Sequence, residues 1–273
     1  HRSSPSLVGL AEVLPAYAGR LMEKELKGLG RALNPEHPCV YVLGGAKFDD
    51  SLKITEHVLG KNIADFVLTG GLVGQAFLAA VGLDLGEPNR ELLRSKGFEE
   101  HAERAKKLAE THGDRILVPA DVVVDAGGQP QVVEINPAAS TFTVREIAEA
   151  AQRVPVTHPI YDIGPKTVAK YREIIQSAKT VVANGPVGVF ARPEFQQGTY
   201  GVLKAMAESS AYTVIGGGHI VAAANAAGVA DRLSHVSTGG GAAITFLSGE
   251  KLPVVEALRK AAEKVRLSKQ NPA

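Results

Sequence analysis

The stretch Ser234-His235-Val236-Ser237-Thr238-Gly239-Gly240-Gly241-Ala242-Ala243 joins a short apolar run to a hydroxyl pair, three glycines and a string of helix formers. Ser237 and Thr238 are candidate helix N-caps, since a side-chain oxygen can accept from the orphan N–H groups of a first turn. Three glycines remove every side chain from the place where those N–H groups point. The result is a bare, partly positive helix end, the physical description of a phosphate site. A tight turn that needs glycine only for its backbone angles is the plainer reading of an isolated triplet.

Working outward, the same strand–glycine–helix unit recurs. Cys39 to Leu43 runs into Gly44-Gly45 and a helix from about Phe48 to Leu59, and Asp65 to Leu68 runs into Gly70-Gly71 and a helix ending near Gly82. Thr180 to Ala183 is followed by Asn184-Gly185-Pro186 and a helix from Pro193 to Ser209. Tyr212 to Ile215 meets Gly216-Gly217-Gly218 and the alanine-rich helix Ile220 to Ala227. Pro159 to Ile163 is a further run, with Pro165 at the favoured first position of a helix Lys166 to Ser177. Phe98 to Thr111 reads as one amphipathic helix with Gly113 as its left-handed cap. Asp121 to Asp125 and Gln131 to Ile135 flank Gly127-Gly128 as a β-hairpin, with a short helix Val144 to Gln152 beyond it. Ahead of these units, Ala16 to Leu33 reads as a long helix with Lys24, Glu25 and Lys27 turned to water, and Pro253 to Lys269 closes the chain as another.

Strands alternating with helices predict an α/β fold, a doubly wound parallel sheet of Rossmann-like type with helices on both faces. Right-handed crossovers bring the strand C-termini to one edge, where ligands of such sheets bind. Five of those ends carry glycine, so five bare helix ends on one edge favour a phosphate-rich ligand.

Composition narrows the function. The 273 residues carry a net charge of +1, so no clustered basic face for nucleic acid is expected, and no apolar run is long enough to span a membrane. Cys39 is the only cysteine, which rules out an intramolecular disulfide and points to a reducing, cytoplasmic setting. It sits in an apolar strand, where an inert buried thiol is expected. The chain opens at His1 without methionine, which suggests part of something longer.

Lys47, after Gly44-Gly45-Ala46, opposes the dipole of its own helix and so suggests a bound anion. Asp49 and Asp50 stabilise the same helix start. Asn184 can bond a nucleotide's phosphate or sugar or cap its own turn, and Val189-Phe190 can wall a base or simply pack. Glu194 fits a helix cap, and His219 alone is weak evidence for a metal. There is no G-x-x-x-x-G-K-[ST], and no strict G-x-G-x-x-G after the first strand, which disfavours a dinucleotide oxidoreductase.

Taken together, His1-Arg2, Ser6 to Gly9, Leu43 to Lys47, Asn184 to Phe190, Ile215 to Gly218 and His235 to Ala242 resemble phosphoglycerate kinase, specifically its archaeal branch. The resemblance implies phosphoryl transfer between ATP or ADP, with Mg2+, and 3-phosphoglycerate or 1,3-bisphosphoglycerate in glycolysis. It implies that Gly44, Gly45, Lys47, Gly70, Gly71, Asn184, Gly217, Gly218 and His219 border the nucleotide, with Glu194 a nearby candidate. Gly239, Gly240 and Gly241 would present N–H groups to the migrating phosphoryl, and Arg2 would match a substrate-side arginine. Residues 1–33 would be the end of an N-terminal domain and the interdomain helix, 34–250 the nucleotide-binding domain, and 251–273 a C-terminal helix. Most of the acceptor site would belong to an N-terminal domain missing ahead of His1. The fragment alone is therefore expected to be a monomer that binds nucleotide with little or no turnover. The alternative is a truncated, non-catalytic nucleotide-binding module. Three departures from the family pattern stand out. Ser51 occupies the place of a frequent second lysine, and Lys53 lies about 240° around the helix from Lys47. His219 stands where an acid often meets magnesium, so the metal ligand is left unknown, and Ala191 stands where a glutamate often holds the ribose.

Overall fold

A computed structural model describes residues 1–135, 140–149 and 156–270. Strands β1 (Cys39–Leu43), β2 (Phe66–Thr69), β3 (Ile116–Leu117), β7 (Thr180–Asn184), β8 (Tyr212–Gly216) and β9 (His235–Val236) form one parallel sheet among the described residues. Its spatial order is β3-β2-β1-β7-β8-β9. The chain starts at the centre, winds to one edge, returns to the centre and winds to the other. That is the doubly wound order, with its switch point between β1 and β7.

The strands are buried on both faces because helices cover both. Along β1, Cys39, Tyr41 and Leu43 pack into one apolar cluster while Val40 and Val42 pack into the other, the period-2 alternation of a strand. The first cluster is closed by helices Arg20–Leu33, Phe48–Gly60, Gly71–Ala80, Ala102–His112 and Gly241–Leu247, the second by Pro165–Ser177, Gln197–Glu208 and Gly218–Ala226. Cys39 is fully buried and its thiol is pushed up to about 12 by burial, then by the nearby Asp65 charge, so it is inert.

A second, antiparallel sheet of β5 (Gln129–Glu134), β4 (Asp121–Ala126) and β6 (Ile160–Ile163) stands beside the first. The hairpin turns at Gly127 and Gly128, both at positive φ, as their spacing predicts. The run Pro159 to Ile163, expected to join the parallel sheet, instead supplies β6 of this small one. The place beside β1 is taken by β7, and β4 offers β6 a free edge. Asp121 of β4 ties this sheet to helix Pro165–Ser177, accepting from the N–H groups of Lys166 and Thr167 at 2.9 and 2.8 Å.

Several expected boundaries move. The long helix starts at Arg20 rather than Ala16, because Gly19 is extended (ψ 166°) and caps it. The helix expected over Phe98 to Thr111 is split into a turn Phe98–Glu100 and a helix Ala102–His112, and Gly113 is right-handed (φ −56°) rather than left-handed. Pro193 to Ser209 likewise divides into the turn Pro193–Phe195 and the helix Gln197–Glu208. The short helix runs over Val144–Glu149, and residues 150–152 of its expected range lie outside the described residues. The final helix spans Pro253–Gln270.

Just beyond the ends of β1 and β7 the two halves of the parallel sheet meet backbone against backbone. A Cβ on Gly44 would sit 2.3 Å from the Pro186 carbonyl oxygen, a rigid atom that cannot swing away. Gly44→Ala should therefore lower the free energy of unfolding by about 2 kcal/mol or more in urea denaturation. A loss below about 0.5 kcal/mol would show that the two loops separate freely.

Candidate functional site

All five glycine-bearing strand ends do reach one edge of the parallel sheet, and the four flanking that of β7 divide into two kinds. After β1 and β2 the N–H groups are consumed. Gly44 donates to Asn184 O (2.9 Å), Gly45 to Pro186 O (2.7 Å), Gly70 to Leu43 O (3.1 Å) and Gly71 to Val187 O (2.7 Å). These glycines let three loops cross in close contact, and the expectation of bare anion-binding ends is not met there. After β8 and β9 the situation differs. Gly217 (φ 99°) precedes helix Gly218–Ala226 and Gly240 (φ 51°) precedes helix Gly241–Leu247, both in backbone conformations that suit glycine. Among the described residues, the N–H groups of Gly217, Gly218, Gly240 and Gly241 donate to no protein acceptor. First-turn donors of this kind need a partner from outside the helix.

Asn184, the last residue of β7, is 9% exposed, and its Nδ2 is buried with no hydrogen-bond partner. The amide group faces the β8 end: a Cβ on Gly217 would lie 3.6 Å from Nδ2. An unpartnered buried amide costs about 1–3 kcal/mol unless something else supplies the acceptor. His219 follows Gly218 in the first turn, and its side chain is exposed.

Ser237 and Thr238 do not cap the helix after the triple glycine. The helix begins only at Gly241, and both hydroxyls turn to Glu25 on helix Arg20–Leu33. Ser237 Oγ donates to Glu25 Oε2 (2.7 Å), Thr238 donates its N–H and hydroxyl to Oε1 (2.8 and 2.9 Å), and His235 Nε2 lies 3.2 Å from Oε2. Burial pushes the Glu25 carboxyl up, but these bonds outweigh it and hold the carboxyl below its ordinary range. Glu25, expected on the solvent face, is thus the anchor of the loop. Its partners lie more than 200 residues away in the chain, and no local pattern announces that.

Below the edge, a cleft of about 370 Å³ opens between the two sheets. Its walls are apolar: Leu72, Leu78, Leu92, Pro119, Val122, Ile160, Val187, Val189 and Phe190. At its rim lie Gly45, Ala46, Gly71 and His219. Lys47 is exposed next to Ala46, as the N-cap residue of helix Phe48–Gly60. Lys53 is bound to Asp49 (2.7 Å) and Ser51 is buried, so neither joins Lys47. Glu194 is exposed on its turn, away from the cleft lining, while Ala191 lines the cleft. At the N-terminus the His1 ring rests against the triple glycine, where a Cβ on Gly241 would be 3.2 Å from Cε1, and Arg2 is exposed beside it.

Two polar side chains inside the cleft were not singled out from sequence. Gln75 is the lone polar residue of the helix Gly71–Ala80, and that isolation was the available signal. Asp162 of β6 accepts from Gly198 N–H (2.6 Å) and Ile163 N–H (2.9 Å), and burial pushes its carboxyl up to about 7 despite both bonds. Beside the cleft, Arg192 donates to Asp125 (2.8 Å) and stacks over Tyr161 and Phe195. Among the described residues no group of three or more His, Cys, Asp or Glu is set to hold a metal, and no helix is long and apolar enough to cross a membrane.

A family profile for phosphoglycerate kinase matches residues 1–250. The chain belongs to the phosphoglycerate kinase family. It is 46% identical over 268 residues to a phosphoglycerate kinase of Methanococcus maripaludis, covering 98% of this chain and 61% of that protein. With the Pyrococcus furiosus phosphoglycerate kinase it shares 48% over 265 residues, covering 97% of this chain and 62% of that one. The crystal structure of phosphoglycerate kinase from Pyrococcus horikoshii OT3 superposes with a TM-score of 0.84 at 43% identity, over 97% of this chain and 62% of that one. The Coxiella burnetii phosphoglycerate kinase gives 0.75 at 33% identity, over 96% of this chain and 64% of that one. The similarity places the chain with the archaeal type, and it spans about three fifths of the length of these relatives.

Asp162 gives a signed pH prediction. Its folded pKa of about 7 exceeds the unfolded value of about 3.9, so the folded state holds the proton more tightly. Its contribution to stability is present below about pH 4 and is lost as pH rises to about 7, by at most about 4 kcal/mol. Urea denaturation at pH 4.5 and 7.5 should show that loss in the native chain and a smaller one in Asp162→Asn. Equal pH dependence in both would remove Asp162 as its source.

Proposed function

We propose that this chain is the nucleotide-binding part of a phosphoglycerate kinase, which binds ATP or ADP and positions it for phosphoryl transfer to or from 3-phosphoglycerate. The carrying observation is Asn184. It is a buried amide donor without a partner, at the sheet's switch point and beside Gly217, whose N–H, like that of Gly218, is unsatisfied; the next residue, His219, lines the apolar cleft. An elongated ligand with an apolar plate at one end and anionic oxygens at the other satisfies both halves. The base enters between the sheets, against Val189 and Phe190, and the phosphates run along the rim past Lys47 and His219.

Family membership supports carrying the remaining roles over. The N–H groups of Gly240 and Gly241 would stabilise the charge on the phosphoryl group in flight, that of Gly239 being taken by Ser237 Oγ at 3.1 Å, and Arg2 would face the acceptor. Phosphoryl transfer asks the protein mainly for positioning and charge stabilisation, which backbone donors on a rigid sheet edge supply. Among the described residues no carboxylate cage is set to hold magnesium, so on this reading the ion would arrive on the nucleotide's phosphates. On this reading, residues 1–33 pass between the acceptor-binding half and the domain of residues 34–250, with 251–273 as a closing helix. The portion of the relatives outside the match would supply most of the acceptor site, and the chain alone is expected to turn over negligibly. The setting on this reading is the glycolytic cytoplasm.

Calorimetric titration with MgADP should show binding in the micromolar to millimolar range. Asn184→Ala and Lys47→Ala should each weaken it by about 10-fold. Absence of heat, confirmed by absence of competition with a fluorescent ADP analogue, would overturn the reading. Unchanged affinity in either variant would remove that residue from the site.

A further inference from the structure

The basic side chains of the helix Arg20–Leu33 line a groove at the strand-start edge of the parallel sheet, opposite the edge that carries the glycines. Arg20, Lys24, Lys27 and Arg31 follow one another at steps of four, three and four residues. That spacing sets all four within about 60° around the helix and along about 16 Å of its length. All four are exposed. They form one wall of a groove of about 580 Å³, and Tyr212, Ser234 and His235, at the starts of β8 and β9, form the other. Glu23 is the one acid in this lining, and Lys27 holds it at 2.7 Å. Glu25, on the same helix, faces the triple-glycine loop instead. Arg31 lies over the Tyr212 ring at 3.7 Å and reaches Glu36 only at 3.9 Å. Among the described residues neither Arg20 nor Lys24 has a carboxylate partner. Arg20 also stands at the first helical position, where a cation opposes the helix dipole and an anion is favoured.

We propose that this groove binds a short linear polyphosphate, a chain of three or more linked phosphate groups. The lining selects that class. Its four cationic side chains are donors only, and its single carboxylate is already engaged. A ligand made of acceptors satisfies such a wall, whereas an acidic peptide brings main-chain N–H groups that the wall cannot pair. A nucleic-acid strand brings bases that need an aromatic face, and Arg31 already covers the Tyr212 ring. Cations spread along the groove suit charge repeated along a chain rather than one compact ion. The guanidinium groups at its two ends fork onto phosphate oxygens. The site is separate from the nucleotide cleft, since no residue lines both.

Titration of the full chain with magnesium-free tripolyphosphate at low salt, followed by backbone amide NMR, tests this. Saturable shifts are expected over Lys24 to Arg31 and at Tyr212 and His235. Arg20→Gln with Lys24→Gln keeps helix-forming residues on an exposed face and should weaken binding by about 10-fold or more. Lys47→Ala, at the cleft rim, should change it by less than about 2-fold. A glutamate octapeptide should bind at least about 10-fold more weakly than tripolyphosphate. Shifts confined to Gly217, Gly218, Gly240 and Gly241 would put the phosphates at the nucleotide edge and overturn the proposal. Native affinity in the double variant, or a peptide that binds as tightly, overturns it too. So does the absence of any shift in the native chain, a result that needs no variant.

Discussion

The structure depends on the parallel pairing of β1 with β7 and on the backbone crossing just beyond it. Leu43 pairs with Asn184, and immediately afterwards Gly44 and Gly45 donate into the carbonyls of Asn184 and Pro186. At this point the chain's first winding, through β2 and β3, meets its second, through β8 and β9. The contact tolerates no side chain on Gly44, because main-chain atoms of Gly185 and Pro186 occupy the space. That constraint sets the glycine ends of β1, β2 and β7 against one another. It also holds the loop Pro186 to Ala191 over the cleft as one of its walls.

Much of this is legible in the sequence because the unit repeats. Strand, glycine and helix recur with short connections, and a parallel sheet is the only arrangement that aligns their ends. Element boundaries are less legible where a glycine or proline admits more than one continuation. Gly19 accepts an extended conformation and shortens its helix, and Gly113 continues in a right-handed one. The antiparallel placement of β6 is not legible either. A four-residue apolar run bounded by prolines reads the same in either sheet, and only competition with β7 for the edge of β1 decides it.

At the site, sequence reading identified the loops but not the direction of their donors. A triple glycine looks identical whether its N–H groups face a neighbouring carbonyl or open space. The residues that tell these cases apart are distant in the chain. Pro186 and Val187 silence the first two glycine pairs, and Glu25 draws Ser237 and Thr238 away from the helix end they were expected to cap. Gln75 and Asp162 were missed for a related reason. Each is a lone polar residue in an apolar element, and burial is what turns such a residue from an ordinary side chain into a chemical feature.

Sorting the glycines by donor state changes what the sheet edge can do. If all five ends were bare, the edge would be a broad cationic strip able to hold anions at many positions. With the donors after β1 and β2 consumed, open N–H groups remain after β8 and β9, with the Asn184 amide facing the first of these. On the proposed reading the open donors after β8 and β9 serve the phosphates, while the apolar cleft lies beside the β1 and β2 ends. The triple-glycine loop is also held from outside the sheet, since a single carboxylate on helix Arg20–Leu33 takes donors from Ser237 and Thr238 and lies against His235. Its position therefore follows that helix as well as β9. A shift of that helix would act on the loop that carries Gly240 and Gly241 through this carboxylate, and on β8 through the contacts of Tyr212 with Gly28 and Arg31.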